Sequence, residues 1–258
     1  MSSLAGAFHV VEYDALVFRR IWRGTIMGTF LSPLFFLAAM GLGLGAFVNR
    51  GSGGIGGVPY LDFLAPGLLA TSTMQTAAGE CMYPLLGKLM WDRTYDAILA
   101  TPVRVSDLIL GEVTWVTLRV LMVSVIFFAM MIVFGVVHSP LTLLVIPAAV
   151  LSGLAFATPI MAFTATRRDD SGFANIFRFV IMPLFLLGGA FFPLAKLPLA
   201  LQGIALLTPL AHGVALCRSL VLGNVTTGDA ALHVLVMFVY VVGGFFVARA
   251  LLIRRLAK

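Results

Sequence analysis

An all-α membrane protein is what this chain predicts, and three features carry the prediction. Of its 258 residues, 60% are hydrophobic, which leaves too little polar surface for a domain facing water on every side. Only 11% are charged, and these sit in short stretches between apolar runs. Several runs reach the ~20 residues that carry a helix across the roughly 30 Å hydrocarbon core. The spans use most of the length, so 1–258 reads as one transmembrane domain. No soluble segment is long enough for an independent catalytic domain.

Residues 1–24 predict an amphipathic helix. Phe8, Val11, Ala15, Phe18 and Trp22 recur at three- and four-residue spacing, and Glu12, Arg19, Arg20 and Arg23 take other faces. Such a helix lies in the headgroup plane with its apolar side in lipid; a first turn packed on the bundle is the alternative. The first span follows at about 25–48, too long for the apolar region of a signal peptide. It contains Pro33 and the small-residue pairs Gly24/Gly28 and Gly41/Gly45, which permit close helix approach. The loop 49–59, NRGSGGIGGVP, holds G-x-G-x-x-G at Gly51, Gly53 and Gly56. A dinucleotide site needs a strand before that motif and a helix after it; here it joins two membrane spans.

Further spans are expected at about 60–82, 113–137, 140–165, 173–192 and 229–250, making six. Basic residues set the orientation. Arg19, Arg20, Arg23, Lys88, Arg93, Arg104, Arg167, Arg168, Arg249, Arg254, Arg255 and Lys258 fall on one side, against Arg50, Lys196 and Arg218 on the other. Both termini are therefore expected in the cytoplasm. The net charge of +6 is accounted for by these flanks. No basic patch interleaved with stacking aromatics points to nucleic acid.

Residues 193–228 start and end on the outer side. Two full crossings need about 40 residues plus a turn, more than this segment has. It follows Phe192, begins at Pro193 and is interrupted by Pro198 and Pro209, so a pair of re-entrant half-helices broken near Pro209 is expected. Such backbone must be buried in protein or line a wet cavity, which suits a gate over a pathway.

The segment 83–107 is the long polar interruption on the cytoplasmic side. Trp91, Tyr95, Ile98 and Leu99 are expected on one helical face, with Asp92, Arg93 and Asp96 on others. Thr101-Pro102 breaks that helix, and Ser106 or Asp107 caps the next. Connections between helices in bundles run about 2–8 residues, so a plain connector could be far shorter. An amphipathic helix with exposed aromatics fits a groove on another protein.

The chain resembles the permease subunits of ABC transporter type-2 exporters. The resemblance rests on FLAPGLL (Phe63–Leu69), Glu80, TPVRVSDLILGE (Thr101–Glu112) and MPLFLLGGAFFPLAKLPLALQGIALLTPLAHGVALCRSL (Met182–Leu220), and it runs over nearly the whole chain. Within the family the chain is most similar to nodulation-type lipo-oligosaccharide exporters, with drug-exporter permeases nearby. The resemblance implies that 83–107 is a coupling helix seated on a separate nucleotide-binding subunit, that the N-terminal helix is an interface helix, and that 193–228 is re-entrant. It implies two permease copies with two P-loop ATPase subunits in a bacterial inner membrane. The chain has no G-x-x-x-x-G-K-[ST], so ATP and Mg are expected on the partner and no cofactor on this chain.

Glu80, Glu112, Arg119 and Arg178 fall within or at the edge of spans, where ionisable groups are costly and face a bundle interior or water. Glu112 and Arg119 are seven apart and share a face. A cluster of Glu80, Glu112 and Arg119 linking the coupling helix to the bundle is one expectation; interfacial salt bridges with snorkelling side chains are the other. Arg178 either snorkels or guides an acidic substrate. Cys81 and Cys217 read as buried free thiols. His9, His138, His212 and His233 have no metal-ligand spacing. An ATP-driven exporter of an amphiphile is the first functional expectation. An ion-coupled transporter using Glu80 and Glu112 is the second. An intramembrane enzyme would need convergent catalytic side chains, and the sequence offers none.

Overall fold

The computed structural model describes residues 3–256. Met1, Ser2, Ala257 and Lys258, the last of them used for the orientation, lie outside the described residues. Among those described the chain is helical, apart from loops and one isolated bridge between Ile55 and Val58.

The N-terminal helix and the first span form one continuous run: α1 (Ser3–Phe36), a π-helical segment (Leu37–Leu44) and α2 (Gly45–Ser52). The expected separation at Gly24 is absent, because nothing there terminates a helix. Pro33 lies inside α1, and the wider π-helical turns begin four residues later, a usual accommodation of a disturbed hydrogen-bond ladder. The packed stripe also differs from the expected one. Val10 and Asp14 are buried, while Phe8 and Trp22 are exposed. Gly6, Val10, Asp14 and Phe18, four residues apart, face the third-span helix; a Cβ on Gly6 would meet Asp107, and one on Gly111 would meet Val10.

The run ends at Gly53, whose φ of 68° supplies the left-handed cap that glycine tolerates. The glycine loop then turns directly into α3 (Tyr60–Cys81), with Asn49 Oδ1 accepting the Tyr60 N–H at 3.0 Å. Short helices follow: α4 (Tyr83–Leu86), a π-helical turn (Gly87–Trp91) and α5 (Thr94–Leu99). The third-span helix, α6 (Val105–Val133), starts earlier than expected, with Asp107 Oδ2 accepting the Arg104 N–H at 3.3 Å. After a 3-10 turn (Pro140–Leu144) comes α7 (Val145–Ala165). The expected fifth span folds as α8 (Phe173–Ile176), a π-helical turn (Phe177–Ile181) and α9 (Met182–Leu187). Then come α10 (Leu199–Leu207), α11 (Pro209–Leu222) and the long last helix, α12 (Thr227–Leu256).

Among the described residues, four helical runs are long and apolar enough to cross a membrane: Ala5–Gly51, Val105–Val133, Pro140–Ala165 and Thr227–Leu256. Counting the bent pair α10–α11 as one span makes five. The expected second span, α3, is long enough but too polar by this measure, and Phe173–Leu187 is shorter. The reason for α3 lies in its surroundings. It runs through the centre of the bundle, packed by α6, α7 and α11, so it does not have to dissolve in lipid. Its buried Thr71 and Thr73 hydroxyls donate back to Leu68 O at 2.9 Å and Ala70 O at 2.8 Å, which removes the cost of burying them.

Small residues bring the helices close. Gly153 of α7 lies against Val120 and Thr73, Gly213 of α11 against Ser152, and Gly244 of α12 against Thr158 and Pro159. Thr164 Oγ1 donates to Cys81 O at 2.7 Å, and Arg255 donates to Thr164 O and Ala165 O at 3.2 and 2.9 Å. The C-terminal ends of α3, α7 and α12 are thereby gathered at one end of the bundle.

Candidate functional site

At that same end four separate parts of the chain meet on buried charges. Lys88 Nζ lies 2.6 Å from Asp14 Oδ1 and 2.7 Å from Glu112 Oε1. The Lys88 side chain is 13% exposed and both carboxylates 5%, so solvent screens these contacts weakly. Arg119 Nε donates to Glu80 Oε1 at 2.8 Å, and its guanidinium stacks 4.7 Å from the centre of the Phe18 ring. Phe18 in turn packs edge-on against Trp115, centroids 5.9 Å apart. A cavity of about 330 Å³ joins the two pairs, lined by Asp14, Glu80, Lys88 and Arg119 among others. Glu80, Glu112 and Arg119 thus come together, in two pairs rather than one triad. Arg178 stands apart, exposed on the fifth-span helix.

Asp14 and Lys88 are the members that sequence reasoning missed. A signal for Asp14 existed: a carboxylate at four-residue spacing between Val10 and Phe18 interrupts the stripe that packs. Lys88 was read only as an orienting charge. Burial pushes the Asp14 carboxyl up to about 6, the Glu112 carboxylate adds to the push, and Lys88 opposes it. The Lys88 ammonium is held above its ordinary value: burial opposes its charge, and the Glu112 and Asp14 carboxylates outweigh that.

A carboxyl raised above its unfolded value binds more protons folded than unfolded. Its contribution to stability therefore grows as pH falls through about 6 towards the unfolded value of 3.8. Asp14→Asn is expected to abolish that gain: the melting temperature in mild detergent should rise less between pH 7.5 and pH 5 in the variant than in the parent. Equal slopes would contradict the shifted carboxyl.

The exposed surface of 83–107 is not the one its periodicity suggested. Arg93 sits at φ 49°, in the left-handed region, and separates the turn bearing Trp91 from the six-residue α5. The expected single face is therefore split. Tyr95 is 1% exposed and points into the core, its hydroxyl beside the Glu112 carboxylate. Ile98 and Leu99 are partly buried against the same core. Trp91, at 59% exposure, Asp92, Arg93 and Asp96 face outward. Apolar side chains hold the segment down, and a mixed tryptophan and charge surface is presented.

At the opposite end the chain bends by 86° between α10 and α11. Thr208 is extended and Pro209 is the first residue of α11, where proline's missing N–H costs nothing. Pro193 and Pro198 stand one position further out, as the N-caps of the 3-10 turn Leu194–Lys196 and of α10, and Phe192 is half-buried beside them. Arg218 of α11 fastens the arrangement. It donates to Phe63 O at 3.1 Å, Gly189 O at 2.8 Å and Ala190 O at 3.2 Å, and stacks 3.6 Å from the Phe63 ring centre. Gly67 makes room for this, because a Cβ there would lie 2.8 Å from Ala190 Cα. The carbonyls at the bend are claimed too: His212 Nε2 donates to Leu206 O at 2.9 Å, and Tyr240 Oη to Leu207 O at 2.6 Å. His212 and His233, scattered in the sequence, meet at 2.8 Å.

A helical bundle centred on a polar helix, with buried ion pairs at one end and a proline-broken helix pair at the other, is the architecture of a polytopic membrane protein. Residues 8–222 match the ABC-2 type transporter family, and the chain belongs to that family. It is 34% identical over 243 residues to nodulation protein J of Rhizobium leguminosarum bv. viciae, covering 94% of this chain and 92% of that one. It is 33% identical over 241 residues to nodulation protein J of Rhizobium meliloti (strain 1021), covering 93% and 90%. It is also 25% identical over 195 residues to the inner membrane transport permease YadH of Escherichia coli (strain K12), covering 76% and 74%. The chain is a transmembrane ABC-2 permease.

Proposed function

We propose that this chain is the membrane-spanning subunit of an ATP-driven exporter, and that the Lys88 bridge is where ATP-driven motion enters the bundle. One observation carries this: Lys88 belongs to the exposed 83–107 segment yet is ion-paired to both the N-terminal helix and α6. A push on Trp91, Asp92, Arg93 and Asp96 cannot move that segment without moving both. The partner is a P-loop ATPase, two copies of which bind ATP and Mg. A second permease copy, identical or related, completes the pathway; the first-span run and α12 present long apolar faces that suit lipid or such a copy. The cargo is an amphiphile, such as a lipid-linked or lipo-oligosaccharide, a glycolipid or a hydrophobic drug.

The proposed topology has six crossings, with both termini in the cytoplasm of a bacterium and the protein in its inner membrane. α3 and Phe173–Leu187 supply the two crossings that length and apolarity do not mark. The α10–α11 pair is re-entrant in this topology. Its support is that α11 touches both Gly189–Ala190, which precede the pair, and His233, which follows it, so the segment leaves from and returns to the same end.

Trp91→Ala is expected to reduce ATPase subunit recovered with the tagged permease about tenfold, a loss of about 1.4 kcal/mol in binding, with little change in melting temperature. Tyr95→Ala should do the reverse, lowering the melting temperature because it empties a core site. A preparation with no ATPase, under conditions that keep other transporter complexes intact, would instead favour ion coupling through Glu80 and Glu112.

A further inference from the structure

One side chain ties three helices together at the bend. His212 stands in the first turn of α11, and its Nε2 donates to Leu206 O in the last turn of α10 at 2.9 Å. Its Nδ1 meets Nδ1 of His233, on α12, at 2.8 Å. A carbonyl oxygen can only accept, so Nε2 of His212 must carry a hydrogen. Turning the ring over would put carbon atoms at both contacts. In the neutral ring Nδ1 is then a bare acceptor, and the hydrogen between the two rings belongs to His233 Nδ1. The ring centres are 5.1 Å apart, close to the greatest separation that a 2.8 Å nitrogen contact permits, so the rings meet end to end. That is the alignment a hydrogen bond prefers. A metal ion held by both nitrogens at about 2.0–2.1 Å would have to sit off this line, away from both lone pairs.

The pair has room for one added proton and no more. His233 Nε2 is the one ring nitrogen of the four without a partner among the described residues, on a ring that is half-buried where His212 is buried. A proton taken up there leaves the Nδ1 contact in place and strengthens it, because the donor is then charged. A second proton finds only His212 Nδ1. It would set two N–H groups and two positive charges face to face at 2.8 Å, an arrangement that like charges oppose. A charged His212 in the first turn of α11 also meets the positive end of that helix's dipole. The surroundings offer little to offset this. On α12, Asp229 is the carboxylate whose charge reaches His233, and its Oδ2 is engaged by Thr226 Oγ1 at 2.6 Å. Tyr240 gives its hydroxyl to Leu207 O. On α11, Cys217 is buried and Arg218 is held by the Phe63, Gly189 and Ala190 carbonyls. In α3, Asp62 is paired with His138 and Glu80 with Arg119. α7 and α10 carry no ionisable side chain.

We propose that His212 and His233 form a proton-sensitive latch on the α10–α11 bend. With no added proton or one, it ties α10, α11 and α12 together; with two, the rings part and the bend loosens. Arg218 still fastens α11 to Gly189 and Ala190, so the opening stays local to the last turn of α10 and the first turn of α11. The latch stands whether or not the chain works with an ATPase. Its test is hydrogen exchange read by mass spectrometry on the full chain in lipid nanodiscs. Two conditions, about pH 7.5 and about pH 4.5, bracket the range in which histidine takes up its proton. Rates are corrected for the intrinsic effect of pH, and each protein is scored by the ratio of its protection at the two conditions.

In the parent, amides around Leu206 and His212 are expected to lose protection about tenfold on acidification, as a local opening does, while those of α7 hold. His233→Gln keeps a neutral donor to His212 Nδ1 and, with its amide turned, a neutral acceptor once His212 is charged. Its protection should therefore change less than about twofold. An equal fall in His233→Gln and the parent would place the acid response elsewhere and overturn the latch, as would no fall in the parent. A response lost in Asp229→Asn but kept in His233→Gln would assign it to the start of α12 instead. Nuclear magnetic resonance of the parent with isotope-labelled histidine gives a second reading. Near neutral pH it should show a bare Nδ1 on His212 and a hydrogen on Nδ1 of His233. The opposite pattern would also overturn the latch, because His212 would then have no hydrogen to give Leu206 O.

Discussion

Lys88→Met is expected to destabilise the protein by about 3–5 kcal/mol, the range for removing one partner of a buried ion pair. The substitution keeps the length and much of the apolar stem of the side chain. What it removes is the single positive charge between Asp14 and Glu112, each 5% exposed. Two carboxylates then share a dry site and repel, and the N-terminal helix loses its polar tie to the bundle. In mild detergent the melting temperature should fall by roughly 10 °C. The control is the triple variant Lys88→Met/Asp14→Asn/Glu112→Gln, which leaves no uncompensated charge and should recover most of the loss, since replacing a whole buried ionic group is often close to neutral. If the single variant melts like the parent, the bridge is solvated and cannot transmit force. If the triple variant is stable but its ATPase runs without transport, the bridge serves coupling rather than folding.

Arg218→Ala has the second largest expected effect, at the other end of the molecule. Three carbonyls lose a charged donor at once, and Phe63 loses its stacked cation. A hydrogen bond to a charged group contributes about 1.5–3 kcal/mol. Because the bonds share one side chain they do not add fully, and a total of about 4 kcal/mol is expected. Arg218→Lys should restore less than half of this, since a point charge cannot fork across separate acceptors as the planar guanidinium does. The direct readout is trypsin added to the face that carries the α10–α11 bend. Lys196 is exposed in the turn ahead of α10. Release of the Gly189–Ala190 turn should speed cleavage after Lys196 before the bundle itself melts. Unchanged cleavage would mean that the bend is held by Tyr240 and His212 alone.

The two ends of the protein differed in how far the sequence disclosed them. The bend was legible because proline acts locally. Pro209 has no N–H and a fixed φ, so it starts a helix wherever it falls, and an 86° break is found one residue before it. The glycine loop was legible for a similar reason, since positive φ is available to glycine at no steric cost, although the helix before it runs on to Ser52. The segment 83–107 was only partly legible. Its periodicity put Trp91 and Tyr95 on one face, but Arg93 in the left-handed region breaks that register, and Tyr95 turns inward. Side-chain spacing gives relative directions within one helix and cannot detect a break imposed from outside it.

Composition alone determined that this is a polytopic helical membrane protein, because 60% hydrophobic residues in runs of span length have no other way to be buried. Local chemistry set where most helices start and stop. The tertiary structure decided which helix is central, which face of the N-terminal helix packs, and which charges pair. α3 is the least lipid-like of the long helices and occupies the middle, where Thr71 and Thr73 are met by its own backbone and Glu80 by Arg119. Lys88 finds a carboxylate 74 positions away and another 24 away. Such choices depend on distance in space across the bundle, since the energy of a buried charge is set by what lies within a few ångströms of it and not by its neighbours along the chain.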